Sequence, residues 1–243
     1  MTETSTGRPE PNGVDAGHGV AWWRDAWALF TRQAGMWIVL ALVSFVIFVV
    51  LSVIPLLGSI AASLLTPVFV GSWMLAARKV EAGGSLQMGD LFSAFNDKLT
   101  PLLVLGALLL AASVVIFLAV GALGFGAMMG MVVGGSHNSV GSVMAGLGAG
   151  MAALLVGLVL GTLVAMAFWF APALVVFRNV APLDAVQASF AANLKNLLAF
   201  LVYGALYLVA AIVASVPFGL GWVVLVPLSV LTVYVSYQDV FGR

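Results

Sequence analysis

Three long stretches of the chain carry no Asp, Glu, Lys or Arg: Gln33 to Ala77, Leu99 to Phe177, and Asn196 to Gln238, which are 45, 79 and 43 residues long. A bilayer core about 30 Å thick is crossed by about 20 helical residues. The first and third stretches therefore each hold two spans and a tight turn, and the second holds two spans with residues to spare. The pattern predicts an all-α membrane protein with six transmembrane helices, at residues 36–56, 59–77, 101–122, 155–177, 196–216 and 219–237, paired as three hairpins.

Ahead of each hairpin the hydrophobic period changes. Trp23, Trp27 and Phe30 recur at i, i+4 and i+7 within 21–33. Met88, Leu91, Phe92, Phe95 and Leu99 form a second apolar face opposite Gln87, Asp90, Asn96 and Asp97. Pro182 then opens a segment with Leu183, Val186, Phe190 and Leu194 on one side. Each of these reads as an amphipathic helix lying in the membrane interface, the first with its tryptophans at headgroup depth.

Short markers suggest that this alternation is a threefold repeat, over 21–80, 86–180 and 182–240. The copies open at Asp25 to Phe30, Asp90 to Phe95 and Asp184 to Phe190, and close at Arg78-Lys-Val80, Arg178-Asn-Val180 and Gln238-Asp-Val240. From marker Phe to closing Val the separations are 50, 85 and 50 residues, so the middle copy carries 35 more than its neighbours. The first hairpin turn lies 25 residues after its marker, which places the insert after about Val120, over roughly 121–155. Residues 1–20 are polar and rich in Gly, Pro and Thr, and read as a disordered cytoplasmic tail without the layout of a signal peptide. The first span then serves as the insertion signal.

Composition agrees with this class: 63% of residues are hydrophobic and 7% charged, against about a quarter charged in soluble domains. Nine basic residues balance nine acidic ones, which offers no electrostatic footprint for nucleic acid. Every Lys and Arg falls on the side of the predicted spans that holds both termini. By the positive-inside rule that side is the cytoplasm, the membrane is the bacterial inner membrane, and the loops near residues 57, 137 and 219 face outward. Cysteine is absent, which removes disulfides, thiolate metal sites and Cys nucleophiles.

The middle hairpin holds ten glycines between Gly121 and Gly150, with Gly126, Gly130 and Gly134 at four-residue spacing and further pairs at Gly146/Gly150 and Gly157/Gly161. A re-entrant gate and ordinary small-xxx-small helix contact both fit, the second being the commoner arrangement. His137 beside Asn138 lacks neighbouring Asp, Glu or Cys and reads as a solvated loop residue rather than a metal ligand. Asp25, Asp90 and Asp184 each open or precede an interfacial segment, where a carboxylate caps free N–H groups and offsets the helix dipole. With Asn193 they are the polar positions available for a site on the cytoplasmic face. Phe168, Trp169, Phe170, Tyr203, Tyr207, Trp222, Tyr234 and Tyr237 suit belt and packing roles better than an aromatic cage.

No predicted span contains a charged residue or a His, which argues against an enzyme and against a proton-driven carrier. No cofactor or metal is implied, and the partners are the lipid bilayer and other membrane proteins. Two functions fit: a non-enzymatic scaffold or helper binding lipid or another membrane protein, and a passive permease or channel. The run Trp169-Phe-Ala-Pro-Ala-Leu-Val-Val-Phe177, the segment Asp184 to Phe190 with Asn193 and Asn196, and Ala214-Ser-Val-Pro-Phe-Gly-Leu-Gly-Trp222 resemble a family of uncharacterised multi-pass membrane proteins, mainly proteobacterial. More loosely, the architecture is similar to the membrane domain attached to some glycerophosphodiester phosphodiesterases. That resemblance implies the same six-helix fold over residues 20–242 and no activity, because the phosphodiesterase catalytic domain has no counterpart here.

Overall fold

The computed structural model describes residues 9–134 and 140–242 and is helical throughout, with no strand among the described residues. His137 and its loop lie outside them. A short helix α1 (His18–Arg32) leads into α2 (Ala34–Ser52) and α3 (Leu57–Glu81). A 3-10 turn (Met88–Phe92) and a single helical turn α4 (Ala94–Asp97) precede α5 (Leu99–Gly134) and α6 (Val140–Phe168). Then come α7 (Ala171–Arg178), α8 (Pro182–Lys195), α9 (Leu197–Ser215) and α10 (Trp222–Phe241). Six stretches are long and apolar enough to cross a membrane: Ala34–Ser52, Leu57–Glu81, Leu99–Gly126, Met144–Arg178, Leu197–Ser215 and Trp222–Phe241.

The chain divides into two compact units, one of residues 1–107 and 166–243 and the other of 108–165. In the first, the buried side chains concentrate in the C-terminal halves of α3 and α10 and in α7, from Val68 to Val80, Ala171 to Val176, and Leu228 to Phe241. α1 packs on α10 and α9, the 3-10 turn and α4 pack on α3, and α8 packs on α7. On α1 the protein-facing stripe is Trp22, Ala26, Leu29 and Phe30, whereas Trp27 is half exposed. The buried face is thus turned by about one residue from the Trp23, Trp27, Phe30 stripe read from the sequence. The Trp22 indole N–H and a ring nitrogen of His18 both reach the Asp239 carboxylate at 2.7 Å, an acceptor on α10 that a local pattern does not reveal.

The fourth predicted span is broken. In place of one helix over 155–177, α6 ends at Phe168 and α7 starts at Ala171. Pro172 lacks an N–H and its ring crowds the carbonyl four residues earlier, which weakens the ladder here and favours a break. The gap is filled from α8. The Ser189 hydroxyl accepts the Phe170 N–H at 2.9 Å and donates to the Met166 carbonyl at 2.8 Å, the two groups that would bond each other in an unbroken helix. Asn193 Nδ2 adds a second bond to the Met166 carbonyl at 3.0 Å. Pro67 and Pro227, in contrast, sit inside continuous helices.

A single residue separates each short helical segment from the long helix after it: Gln33, Lys98 and Asn196. Two of these side chains make the same clasp. Gln33 accepts the Leu86 N–H at 2.7 Å and donates to the Gly84 carbonyl at 2.7 Å. Asn196 accepts the Val14 N–H at 2.7 Å and donates to the Asn12 carbonyl at 2.9 Å. Lys98 donates to the side chain of Asn179, the left-handed residue that ends α7. Each junction residue thereby holds the strand of chain leading into another short segment: 84–86 before the 3-10 turn, Asn179 before α8, and 12–14 before α1.

Three expectations change as a result. Residues 11–20 are not a free tail: 12–14 are clasped by Asn196, Asn12 N–H also donates to the Val240 carbonyl at 2.7 Å, and α1 begins at His18. The second amphipathic segment is a 3-10 turn and a short helix, not one helix. Gly89 lowers its helical propensity, and Ser72 of α3 captures the Ala94 N–H at 3.1 Å. The third marker is one turn out of register, since Phe30 and Phe95 stand three residues before Gln33 and Lys98 but Phe190 stands six before Asn196. Asn193 occupies the corresponding place, and α2 and α9 are then both 19 residues long. Residues 121–134 and 140–155 of the expected insert continue α5 and α6 as helix.

Candidate functional site

The last turns of α3, α7 and α10 enclose an open cavity of about 380 Å³. Arg78 and Glu81 stand three apart on one face of α3, and Tyr234, Tyr237 and Gln238 share a face of α10 at i, i+3 and i+4. Phe177 and Arg178 complete the lining from the end of α7.

Glu81 Oε2 accepts the Tyr234 hydroxyl and the Gln238 amide, each at 2.6 Å, and the same amide donates to the Tyr234 hydroxyl oxygen at 2.8 Å. Tyr234 is 2% exposed, so these bonds fix a carboxylate at the inner wall rather than at the mouth. The two guanidinium groups are held without a carboxylate partner among the described residues. Arg78 lies over the Phe177 ring, 4.8 Å from its centroid, and Arg178 Nη2 donates to the terminal carbonyls of α10 at Phe241 and Gly242. Phe177 packs between Tyr234 and Tyr237, with centroid separations of 5.9 and 5.4 Å. The arrangement can offer two planar cationic forks to one ligand.

The positions singled out in the sequence do not form this site. Asp25 lies in the middle of α1, not at its start, and pairs with exposed Arg24 at 2.9 Å. Asp90 does cap: it accepts the Gln87 N–H at 2.7 Å in a reciprocal capping box, and it pairs with Lys79 at 2.8 Å. Asp184 sits in the first turn of α8 behind Pro182. Asn193 is buried at the α6–α7 break. Asp25, Asp90 and Asn193 are thus spent on separate local tasks. Trp169 packs edge-on to Phe200 and Tyr203, and Phe170 edge-on to Phe200 and Phe241, so these rings pack against one another.

Sequence reasoning missed Arg78, Glu81 and Gln238 as a site because it weighed them for topology and as repeat markers. A signal was nevertheless present: Arg78, Arg178 and Gln238 each stand two residues before one of the valines, Val80, Val180 and Val240, read as repeat markers. A second cavity, of about 440 Å³, lies among α2, α3 and α10 and is almost wholly apolar. Its Ser44 and Thr66 hydroxyls are turned back to their own helices.

A protein of Burkholderia thailandensis described as a probable inner membrane protein is 31% identical to this chain over 214 residues, covering 86% of this chain and 78% of its own length. No family model matches the chain, and no solved structure matches it. Membership of the inner membrane class thus rests on sequence kinship together with the six apolar helices.

Proposed function

Since the chain belongs to the family of that Burkholderia thailandensis inner membrane protein, we propose that it is a non-enzymatic membrane scaffold, binding lipid or another membrane protein through its glycine-rich helices. The observation that carries this reading is the state of the glycines in α5 and α6. A Cβ built at Gly121, Gly124, Gly126, Gly148, Gly150 or Gly161 would meet nothing within 4 Å; among the described glycines of the two helices, Gly106 near the start of α5 is pressed on Leu64, and Gly157 would approach Val120 at 3.2 Å. Glycine costs about 1 kcal/mol against alanine inside a helix and is favoured in membrane helices where backbones must approach closely. Glycines that make no such approach within the chain suit a contact made to something else.

The α5 helix has 36 residues and is about 54 Å long, well beyond the hydrocarbon thickness. We read the chain as three hairpins, each introduced by a segment lying in the interface, over 21–80, 86–180 and 182–240. The half-exposed Trp27 and the one-residue junctions at Gln33, Lys98 and Asn196 support that reading. Both termini are on the cytoplasmic side, in keeping with the one-sided Lys and Arg.

Two measurements test the proposal. Because cysteine is absent, single cysteines at Phe218 and Gly242 can be labelled from either side without background. Labelling from opposite sides is expected, and labelling from one side overturns the topology. Cysteine crosslinking from Gly124 in intact membranes is expected to trap a discrete adduct that Gly121→Ile abolishes. Absence of any adduct, with solute uptake by reconstituted proteoliposomes, would establish the permease instead.

A further inference from the structure

We propose that the cavity between Arg78, Arg178 and Gln238 binds the phosphate group of an anionic ligand. The inference is independent of the glycine-rich helices and goes beyond the scaffold reading. The two guanidinium groups come from equivalent places in two copies of the repeat, two residues before Val80 and Val180, and Gln238 holds the third such place before Val240. All three line one cavity of about 380 Å³, within the range of about 300–1,000 Å³ usual for small-ligand sites.

Neither guanidinium is neutralised by a carboxylate among the described residues. Arg178 is tied to the Phe241 and Gly242 carbonyls and Arg78 to the face of Phe177, neutral groups that orient two solvent-exposed guanidinium groups. The acidic residue in the cavity, Glu81, accepts from Tyr234 and Gln238. A tetrahedral oxyanion with several acceptor oxygens matches two forks of N–H donors and gains from both charges, whereas a single carboxylate would engage only one fork well. Had the third position also been Arg, three cations would crowd one site. Gln238 supplies a neutral donor there and anchors Glu81 at the wall. The rings of Phe177 and Tyr237 give the cavity an apolar side, which suits a phosphate carried on an organic group.

That phosphate can belong to an anionic phospholipid headgroup or to a soluble phosphate ester, and the test separates the two. The full-length protein is purified in maltoside, and its melting and its affinity are measured with short-chain phosphatidylglycerol, glycerol 3-phosphate and inorganic phosphate, with phosphatidylcholine as the zwitterionic control. Arg78→Gln is the diagnostic variant, since the Arg78 side chain makes no hydrogen bond among the described residues and its contact there is with the Phe177 ring. Arg24→Gln removes an equal charge from an exposed position on α1. Binding of phosphatidylglycerol alone, weakened at least about tenfold by Arg78→Gln and unchanged by Arg24→Gln, supports a lipid headgroup. The same pattern with glycerol 3-phosphate or inorganic phosphate supports a soluble ligand. No binding of any of the three, or binding that Arg78→Gln and Arg24→Gln weaken equally, overturns the proposal.

Discussion

The C-terminal halves of α3 and α10 and the 108–165 part of α5 and α6 are all apolar helix yet are used in opposite ways. In α3 and α10 half of the most apolar stretch is buried in protein, against 11% for Leu99–Gly126 and 6% for Met144–Arg178. Mean hydropathy follows the split, at 1.7 and 1.5 for α3 and α10 against 2.9 and 2.4 for Leu99–Gly126 and Met144–Arg178. Lipid tails are as apolar as leucine, so a fully apolar span gains nothing by turning inward, and it is the polar and small residues that find partners there. The buried halves carry Ser72, Thr232 and Ser236, all with hydroxyls bonded to backbone or to a neighbouring ring hydroxyl, and α3 has Gly71 pressed against Leu102 and Val176. The region 108–165 carries exposed Val115, Phe117, Leu118, Leu154 and Leu158, and described glycines that, Gly157 apart, leave open space where a Cβ would stand.

The sharpest way to break this contrast is to add one methyl group on each side of it. At Gly106 a Cβ would lie 2.4 Å from the Leu64 carbonyl oxygen and 2.6 Å from its Cα, so backbone, not a side-chain tip, stands in the way. Gly106→Ala should force α5 from α3 and cost about 2–3 kcal/mol, read as earlier unfolding in mixed maltoside and dodecyl sulfate micelles. Gly19, with the Ala199 carbonyl at 2.4 Å, should behave in the same way. Unchanged unfolding of both variants would mean that the close-packed half is not closer packed than the rest.

Next in size is the splice at the α6–α7 break. Ser189→Ala removes the hydroxyl that serves both the Phe170 N–H and the Met166 carbonyl, leaving a buried donor without a partner at a cost of about 1–3 kcal/mol. Ser189→Thr, which keeps the hydroxyl, should recover most of that loss, whereas a merely steric role for Ser189 would make Thr the worse of the two. The Asn193→Leu variant should lose less than Ser189→Ala, because Asn193 gives Met166 a second donor and the Ser189 hydroxyl remains.

The spans were legible because charge is excluded from lipid, and the charge-free stretches place α2, α3, α9 and α10 to within four residues of their ends, whereas α5 runs on to Gly134 and α6 starts at Val140, well outside the expected 101–122 and 155–177. The end of α6 escaped that reading for a related reason: a break inside an apolar run changes no charge. Pro172 marked where the ladder is weakened, but Ser189, which repairs it, lies 19 residues from the Phe170 N–H it accepts. Gln33 and Asn196 were invisible as clasps because the backbone groups they hold are 51 to 184 residues distant. The cavity was half legible: Arg78, Arg178 and Gln238 fall on the repeat markers, yet nothing local says that the ends of α3, α7 and α10 meet. Phe190 misled the register because an aromatic at i and one at i+3 look alike on a helical face, and only the clasp at Asn196 separates them.

The clasps give a smaller effect that sharpens the comparison from another side. Gln33→Ala removes two hydrogen bonds to half-buried backbone, worth about 1 kcal/mol after water replaces them, and Asn196→Ala removes the same two kinds together with a third, to the buried Ala192 carbonyl. The two should differ in where the chain loosens. Asn196→Ala should expose the backbone near Asn12 to added protease and speed its amide exchange, and Gln33→Ala should do so near Gly84. Loosening of the same segment in both variants would show that the two amides do not do equivalent work in two copies of one unit.

The smallest effect should carry the opposite sign. At Gly124 a Cβ meets nothing within 4 Å, and the residue has an ordinary helical backbone, with a left-handed conformation recorded only at Gly83, Gly219 and Gly242 among the described glycines. Gly124→Ala therefore adds no clash and removes the entropic penalty of glycine, so it should be neutral or stabilise the isolated protein by up to about 1 kcal/mol. The same methyl group that is destabilising at Gly106 is tolerated at Gly124 as long as the chain is alone. If α5 is a docking face, Gly124→Ala and more strongly Gly124→Ile should leave unfolding in micelles unchanged or later while weakening the crosslinked adduct formed in membranes. Stability and association would then move in opposite directions at one residue. A Gly124→Ala variant destabilised to the extent of Gly106→Ala would instead place the 121–126 part of α5 against a neighbour within the chain, and would remove both the contrast and the scaffold reading that depends on it.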